Sequence, residues 1–219
     1  QLARIGPDSP LLLWTPDMRD RDRLAKIHGG SISRALIGLI SFQTPLSGEN
    51  QPSTGIAYLA PPRSAVLEDT DTGRQAAALL KRGGLSVQVH NNLALHEARM
   101  TAMLQPLIAA LEICEWSLKS LSGSPWLETG TRAIDEVRAI GERYLDTEPS
   151  RSMPGKKWLA RLALSLTPPL SPFPIETYLH YHFSKVGDQT RAMLDGWIEQ
   201  ARHQQQPYDA LQSLRAALP

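Results

Sequence analysis

Residues 85–93 decide the fold, and they read Leu-Ser-Val-Gln-Val-His-Asn-Asn-Leu. From Leu85 to His90 apolar and polar residues alternate, which is the period of a strand with one covered face. From Leu93 onward the apolar residues recur every three or four positions, which is the period of a helix. We therefore predict an α/β domain over residues 1–92 and an all-helical domain over residues 93–219.

The first domain consists of short apolar runs bounded by turn residues. Pro10 precedes the run 11–14, which stops at Thr15-Pro16-Asp17, as a strand buried on both faces does at its end. Charged segments that end at glycine pairs are typical of short helices. We predict strands at 11–14, 35–42, 54–59 and 85–90, and helices at 17–27 and 72–81. The helix at 17–27 should end at Gly29-Gly30. The helix at 72–81 should be capped by Asp71 or Thr72 and end at Gly83-Gly84.

The second domain has apolar stripes at helical spacing throughout. Pro106 lies inside the longest stripe and should distort that helix, because it removes one main-chain donor. A proline pair, Pro168-Pro169, should stop a shorter helix. We predict helices at 93–121, 126–145, 158–166, 175–197 and 208–218.

Composition excludes several classes of partner. The chain has 23 basic and 22 acidic residues, so its net charge produces no electrostatic attraction for nucleic acid or an anionic membrane. No segment reaches the roughly 18 uninterrupted apolar residues of a membrane span. The single cysteine, Cys114, follows an apolar helical pattern and is predicted to be a buried thiol. We expect a cytoplasmic protein with no metal, nucleic acid or membrane partner.

The densest set of reactive side chains lies between residues 178 and 191. On a continuous helix Tyr178, His182, Lys185 and Gln189 share one stripe, which could line a cleft, although a solvated helix face explains the same pattern. The polar residues that follow could bind a carboxylate or phosphate, and the planar fork of Arg191 is the best oxyanion clamp. His180 and His182 point to different faces of a helix, which argues against a metal site.

A second candidate position follows the last predicted strand. His90-Asn91-Asn92 lies at its carboxyl end, where α/β proteins place functional groups, and Asn91 is our candidate contact to a cofactor. Asparagine also tolerates left-handed backbone, so an ordinary turn explains this segment equally well.

Five stretches of the chain occur in an order that matches a known enzyme family: Pro10-Leu-Leu-Leu, Gly55-Ile-Ala-Tyr, Gly83-Gly84-Leu-Ser-Val, Gln105-Pro106-Leu107, and the tail from Asp195-Gly196-Trp197 to Pro207. In this order they resemble the ketopantoate reductase family. The resemblance implies a partial Rossmann-like half-sheet, without the glycine-rich turn that would precede Gln1, followed by a helical C-terminal domain. It also implies NADP or NAD as cofactor, a small acidic 2-keto acid as substrate, and a homodimer formed by the helices at 93–121 and 175–197.

The chain departs from this family at its chemical positions. Counted from Pro106, the family's catalytic lysine falls at Glu97 and two substrate-contacting asparagines fall at Thr101 and Gln105. The family's substrate-binding glutamate, counted from Gly196, falls at Thr190. Lys185 and His182 are our candidates for the missing proton donor. The residues predicted to bind substrate are Glu97, Gln105, Gln189, Thr190 and Arg191.

Two functions follow from these observations. In the first, the complete protein is a reductase that uses NADPH or NADH to reduce a small 2-keto acid. In the second, the helical domain is a catalytically degenerate dimerisation module, and the polar stripe is only surface.

Overall fold

The computed structural model describes residues 6, 8–15, 17, 19–46, 55–150 and 156–219, apart from the Lys156 side chain. The chain divides into two compact units, one formed by Gln1–Thr44 and Pro52–Glu97, the other by Pro45–Gln51 and Ala98–Pro219. The first unit is α/β and the second is helical, which confirms the predicted fold class. Met18 and Thr54, which belong to predicted elements, and Pro16, which lies in a predicted turn, are outside the described residues.

The first unit contains six strands and two complete helices among its described residues: β1 (Leu11–Leu13), α1 (Asp20–Ala25), β2 (Ile32–Ile37), β3 (Ile40–Thr44), β4 (Gly55–Leu59), β5 (Ala65–Glu68), α2 (Asp71–Arg82) and β6 (Val87–His90). One sheet has the order β1-β2-β5-β6, and β3 pairs with β4 in a separate two-stranded sheet. In the larger sheet β1 and β2 are parallel, β2 and β5 are antiparallel, and β5 and β6 are parallel. The half-sheet is therefore mixed.

The predicted strand over 35–42 is wrong, because the chain changes sheets inside it. The break lies at Gly38, whose N–H donates to the carbonyl of Ser64 at 2.8 Å. Strand β5, which has only four residues, was not predicted from the sequence. In β5 Ala65 and Leu67 alternate as fully buried residues. They form the core of the unit with Ala35 and Ala77.

Both helices of the first unit begin or end at residues other than those predicted. The Thr70 hydroxyl caps α2 and accepts the N–H of Gly73 at 3.0 Å, so the predicted cap at Asp71 or Thr72 is wrong. Gly73 is required here, since a Cβ atom would lie 2.0 Å from the Glu68 carbonyl oxygen. The shorter helix α1 ends at Lys26 in right-handed conformation, so the predicted glycine cap is wrong.

The remaining helices are α3 (Leu93–Ile113), α4 (Leu118–Gly123), α5 (Pro125–Tyr144), α6 (Lys156–Leu170), α7 (Ile175–Ser184), α8 (Gly187–Gln204) and α9 (Asp209–Ala217). The helix predicted over 93–121 is two helices, α3 and α4. The helix predicted over 158–166 runs on through Pro168 and Pro169, because proline removes a donor but keeps a helical φ.

The core of the helical unit lies where α5, α8 and α9 meet. Val137 and Ile140 of α5, Leu194 of α8, and Leu211 and Leu214 of α9 are completely inaccessible to solvent. Leucine and β-branched side chains at these helical intervals supply the apolar stripes that the sequence predicts.

Two local contacts in the helical unit bear on predictions from the sequence. The carboxylate of Glu136 accepts the N–H groups of Ala210 and Leu211 at 2.9 and 2.8 Å, which caps α9 from a neighbouring helix. The thiol of Cys114, predicted to be buried, is only half-buried and lies 3.4 Å from the Ser124 hydroxyl.

Candidate functional site

A groove on the helical unit is walled by Trp116, and we call it the Trp116 groove. Its volume of about 730 Å³ is that of a small-molecule site. It is built from the turn between α3 and α4, from α7, and from the residue after α7. The lining residues are Glu115, Trp116, Ser117, Glu176, Thr177, His180, Tyr181, Ser184 and Lys185.

The turn that carries Trp116 has unusual backbone geometry. Glu115 and Trp116 are consecutive residues with positive φ, 54° and 63°. Each such residue costs about 1–3 kcal/mol and persists only where its surroundings hold it. The Trp116 ring is held by stacking on His180 and Phe183, with centroid distances of 5.7 and 6.3 Å. The left-handed turn ends α3 and sets the tryptophan into the wall of the groove.

The two charged side chains of the groove discussed here differ in whether they are already bound within the protein. Glu176 is already engaged, since its Oε1 accepts the N–H of Leu118 at 2.6 Å and so joins α7 to the start of α4. Lys185 is exposed, with its Nζ 5.8 Å from the centre of the Tyr181 ring. Lys185 is therefore the cation that the groove presents to a ligand.

A smaller pocket of about 390 Å³ shares Trp116, Ser184 and Lys185 with the groove and is also lined by Arg191. The guanidinium of Arg191 donates to Glu112 Oε1 at 2.7 Å and to the main-chain oxygens of Gly187 and Pro219 at 3.0 and 2.8 Å. The structure thus brings Lys185 and Arg191 to one pocket. The guanidinium of Arg191, however, is bound within the protein. To bind a ligand oxyanion it would have to give up these internal hydrogen bonds.

The continuous stripe predicted from Tyr178 to Gln189 is wrong, because α7 ends before Lys185 and α8 begins at Gly187. Val186 separates the two helices, because its backbone, with φ −117° and ψ 23°, leaves the helical conformation. Gly187, predicted to lie in mid-helix, is instead the first residue of α8. Gln189 is exposed on α8 and Thr190 is buried there, and neither lines the groove or the smaller pocket.

His182 also lies outside the groove lining. Its ring stacks on Tyr178 with a centroid distance of 5.5 Å and meets Phe183 edge-on at 4.8 Å. Partial burial, and then the positive charge of Lys185, lower the pKa of His182 below its ordinary value of 6.5. A lowered pKa favours the neutral imidazole, which accepts a proton more readily than it donates one.

Glu97 lies in the α/β unit, in a buried ionic cluster. Arg34, which was not predicted as a site residue, donates from Nη1 to Glu97 Oε2 at 2.8 Å, and both side chains are at most 4% exposed. The main-chain N–H of Arg34 donates to Glu68, whose other oxygen binds Arg21 at 2.9 Å. Burial raises the pKa of Glu97, and the charge and hydrogen bond of Arg34 oppose that shift. The presence of a charged residue in the largely apolar strand 32–37 was the one sequence signal that could have indicated Arg34 as the ion-pair partner of Glu97.

The other predicted residues have local roles. Gln105 Nε2 donates to the sulfur of Met193 at 3.3 Å, and its buried Oε1 has no hydrogen-bond partner among the described residues. Asn91 is exposed in the turn after β6, while the neighbouring Asn92 accepts the N–H of Leu95 at 3.3 Å. The described residues contain no group of three potential metal ligands and no helix long and apolar enough to cross a membrane.

Comparison with known proteins shows the fold. No family model matches the chain, and a search of curated proteins found no significant match. The crystal structure of a PanE/ApbA family ketopantoate reductase from Ralstonia eutropha JMP134 is similar over 97% of this chain, with a TM-score of 0.67 and 14% sequence identity. The similarity covers 66% of that chain, so the present chain spans less than two-thirds of the length of the reductase.

Proposed function

We propose that this chain is part of a reductase that converts a small 2-keto acid to the 2-hydroxy acid at the expense of NADPH or NADH. The observation that carries the proposal is the fold similarity to a ketopantoate reductase over 97% of the chain. The order of an α/β unit and a helical unit, together with the five sequence stretches that resemble the family, supports it. Fold alone does not determine chemistry, so the proposal depends on the experiment below.

The start of α2, the helix that follows strand β5 of the larger sheet, is not suited to bind the cofactor pyrophosphate. Such a site needs free N–H groups and no competing anion at a helix start. At the start of α2 the hydroxyl of Thr70 already takes the N–H of Gly73, and Asp69 and Asp71 place two carboxylates beside it. The proposal therefore applies to a protein in which other residues hold the cofactor.

Lys185 is the residue of the Trp116 groove that we assign to the substrate. An ammonium group binds a carboxylate as a point charge and can donate a proton to a developing alkoxide. Ser117, Thr177 and Ser184 add hydroxyl groups along the same wall. His182, which the sequence predicted as a second proton donor, does not line the groove and is assigned no role in this proposal.

The test uses the polypeptide encoded by the complete reading frame and follows the absorbance of NADPH and NADH with a panel of 2-keto acids. We expect turnover with at least one acid and a roughly 100-fold lower kcat in Lys185→Ala. Lys119→Ala, which removes an exposed lysine of α4 outside the groove, is the matched control and should keep kcat. Absence of turnover across the panel contradicts the function, and an unchanged kcat in Lys185→Ala contradicts the role of Lys185.

A second candidate function, a catalytically silent interaction module, is favoured by one observation. The position at which the resemblance expects a catalytic lysine holds Glu97, and this carboxylate is buried and paired with Arg34. A buried ion pair supports structure without offering a proton donor to a ligand. Calorimetry on the complete polypeptide separates the two functions, since the module should bind neither NADPH nor NADH, whereas the reductase should bind at least one of them.

A further inference from the structure

The lining of the Trp116 groove restricts the side chain of the ligand that it binds. Trp116, His180 and Tyr181 supply flat rings to the lining. The described lining residues include no leucine, isoleucine, valine or methionine, so the apolar surface of the groove comes mainly from these rings. Rings prefer offset-stacked or edge-to-face contacts with other rings. A flat ligand ring therefore fits this groove better than a flexible aliphatic chain.

The Trp116 ring is held in place without a ligand. Its plane lies at 10° to the plane of the Phe183 ring and at 26° to that of the His180 ring. Its backbone belongs to the left-handed turn, with φ 63°. A side chain that is already ordered loses little conformational freedom when a ligand binds. Trp116 is therefore a suitable surface for a ligand ring to stack on.

The charges around the groove favour an anionic ligand over a cationic one. Aromatic rings commonly bind quaternary ammonium groups, but Lys185 Nζ already lies 5.8 Å from the centre of the Tyr181 ring. A cationic ligand would meet this like charge. Of the two glutamates in the lining, Glu176 already accepts the N–H of Leu118, and Glu115 is exposed, so that solvent and salt screen its charge. Lys185 is thus the group that selects the charge of the ligand.

The groove adjoins the smaller pocket, which is more polar. Ser184 and Lys185 line both, and the smaller pocket is also lined by Glu112, Asp188 and Arg191. A ligand with an apolar ring and an acidic head would thus place its ring in the groove and its head at Lys185. The groove volume of about 730 Å³ lies in the range of drug-sized ligands, and a three-carbon acid fills only a small part of it.

We propose that the Trp116 groove binds an aromatic 2-keto acid, with the ring of the ligand against Trp116 and Tyr181 and its carboxylate at Lys185. The keto group in this proposal rests on the reductase function proposed above, whereas the ring and the carboxylate rest on the groove itself. An exposed ion pair contributes little to affinity. The contacts between rings therefore supply most of the affinity, and a three-carbon acid that reaches only Lys185 should bind weakly.

The first experiment compares ligands by calorimetry on the complete polypeptide without cofactor. The ligands are phenylpyruvate, 2-oxooctanoate, pyruvate and benzyltrimethylammonium. 2-Oxooctanoate has the same acidic head on a flexible apolar chain, so it isolates the effect of the ring. We expect phenylpyruvate to bind about tenfold more tightly than 2-oxooctanoate, and by a larger factor than pyruvate or the ammonium compound. Equal affinities for the two larger acids, or tighter binding of the ammonium compound, overturn the proposal.

The second experiment removes the rings one at a time. Trp116→Ala and Tyr181→Ala should each weaken phenylpyruvate binding about tenfold, and Trp116→Phe and Tyr181→Phe should restore most of it. Circular dichroism shows whether Trp116→Ala folds. Tyr181 is 40% exposed, so Tyr181→Ala keeps the test decisive if Trp116→Ala does not fold. Folded alanine variants that keep the preference for phenylpyruvate over 2-oxooctanoate overturn the proposal.

The remaining variants separate the cation from the rings. Lys185→Ala should weaken phenylpyruvate binding only about threefold, because the ion pair that it removes is exposed. Trp158→Ala removes an exposed tryptophan of α6 outside the groove and is the matched control, which should leave the affinity unchanged. A loss in Trp158→Ala as large as the loss in Tyr181→Ala would place the ligand elsewhere and overturn the proposal.

These binding measurements need neither cofactor nor turnover, so they can fail separately from the reductase function. Ring-dependent binding of phenylpyruvate, without turnover in the presence of NADPH or NADH, supports the aromatic acid site and contradicts the reductase function. Turnover of aliphatic 2-keto acids, without a preference for the aromatic acid in binding, supports the reductase function and overturns the inference drawn from the groove.

Discussion

The carboxylate of Glu97 is bound by the guanidinium of Arg34 at 2.8 Å, and the pair is buried in the α/β unit. The resemblance places the catalytic lysine of the family at the position of Glu97. The contact with Arg34 gives this position a structural role instead. The role has measurable consequences for folding stability, independent of any activity.

We expect Glu97→Ala to lower the free energy of unfolding by about 3–5 kcal/mol, because it removes the carboxylate that is paired with the buried guanidinium of Arg34. Arg34→Met should have a similar effect. The double variant Arg34→Met/Glu97→Leu should be more stable than either single variant, since it removes both charges. Urea denaturation measures all three, and double-variant losses that equal the sum of the single losses would show that the two residues do not interact.

Glu142 should make the helical unit sensitive to acid. Burial raises the pKa of Glu142, but hydrogen bonds from Ser150 and the charge of Arg99 outweigh it and lower the pKa below its ordinary value of 4.5. A lowered folded-state pKa contributes stability that is fully present above pH 4.5 and is lost as the pH falls below it. Glu142→Gln should therefore be less stable than the parent at pH 7, with the difference shrinking below pH 4.5. Thermal unfolding against pH measures this, with the exposed Glu148→Gln as a control that should show no such difference.

Arg191 should matter more for stability than an ordinary surface arginine. It holds the mostly buried Glu112 and two main-chain oxygens. Arg191→Ala should therefore cost about 1.5–3 kcal/mol. Arg215→Ala breaks an exposed pair with Asp195 and should cost less than about 1 kcal/mol. Equal losses in the two variants, measured by urea denaturation, would show that the contacts of Arg191 contribute no more than a surface pair.

Gln205 is a site where glycine should stabilise the protein. It ends α8 in the left-handed conformation with φ 55°, and its N–H and that of Gln206 bond to the last turn. Glycine adopts this conformation without the penalty of a Cβ atom, so Gln205→Gly should raise the free energy of unfolding by up to about 1 kcal/mol. His203→Gly, two residues earlier in the exposed helix, should lower it by about 1 kcal/mol. The prediction is contradicted if both substitutions shift the melting temperature downward.

Much of the element order followed from the sequence. The helices α2, α5 and α9 begin and end within two residues of their predicted bounds, because their apolar stripes and end residues are local signals. The strand β5 was missed because four residues with two buried side chains are too short to show a period. The break between α7 and α8 was missed because Val186 continues the apolar spacing while its backbone leaves the helix.

The candidate site was less predictable than the fold. The sequence marked Lys185 and Arg191 by residue type, and the structure brings both to one pocket. No sequence signal marked Trp116, because its position depends on a left-handed turn and on rings from α7.

The order of an α/β unit and then a helical unit could be predicted from local sequence, since the strand and helix periods are properties of neighbouring residues. Which charged side chains are solvated and which are paired depends on tertiary packing. Arg34 and Glu97 are 63 positions apart, and Glu112 and Arg191 are 79 apart. Side chains so far apart along the chain come into contact only through tertiary packing. For this reason Glu97, a predicted substrate contact, and Arg191, a predicted oxyanion clamp, are found in internal ion pairs.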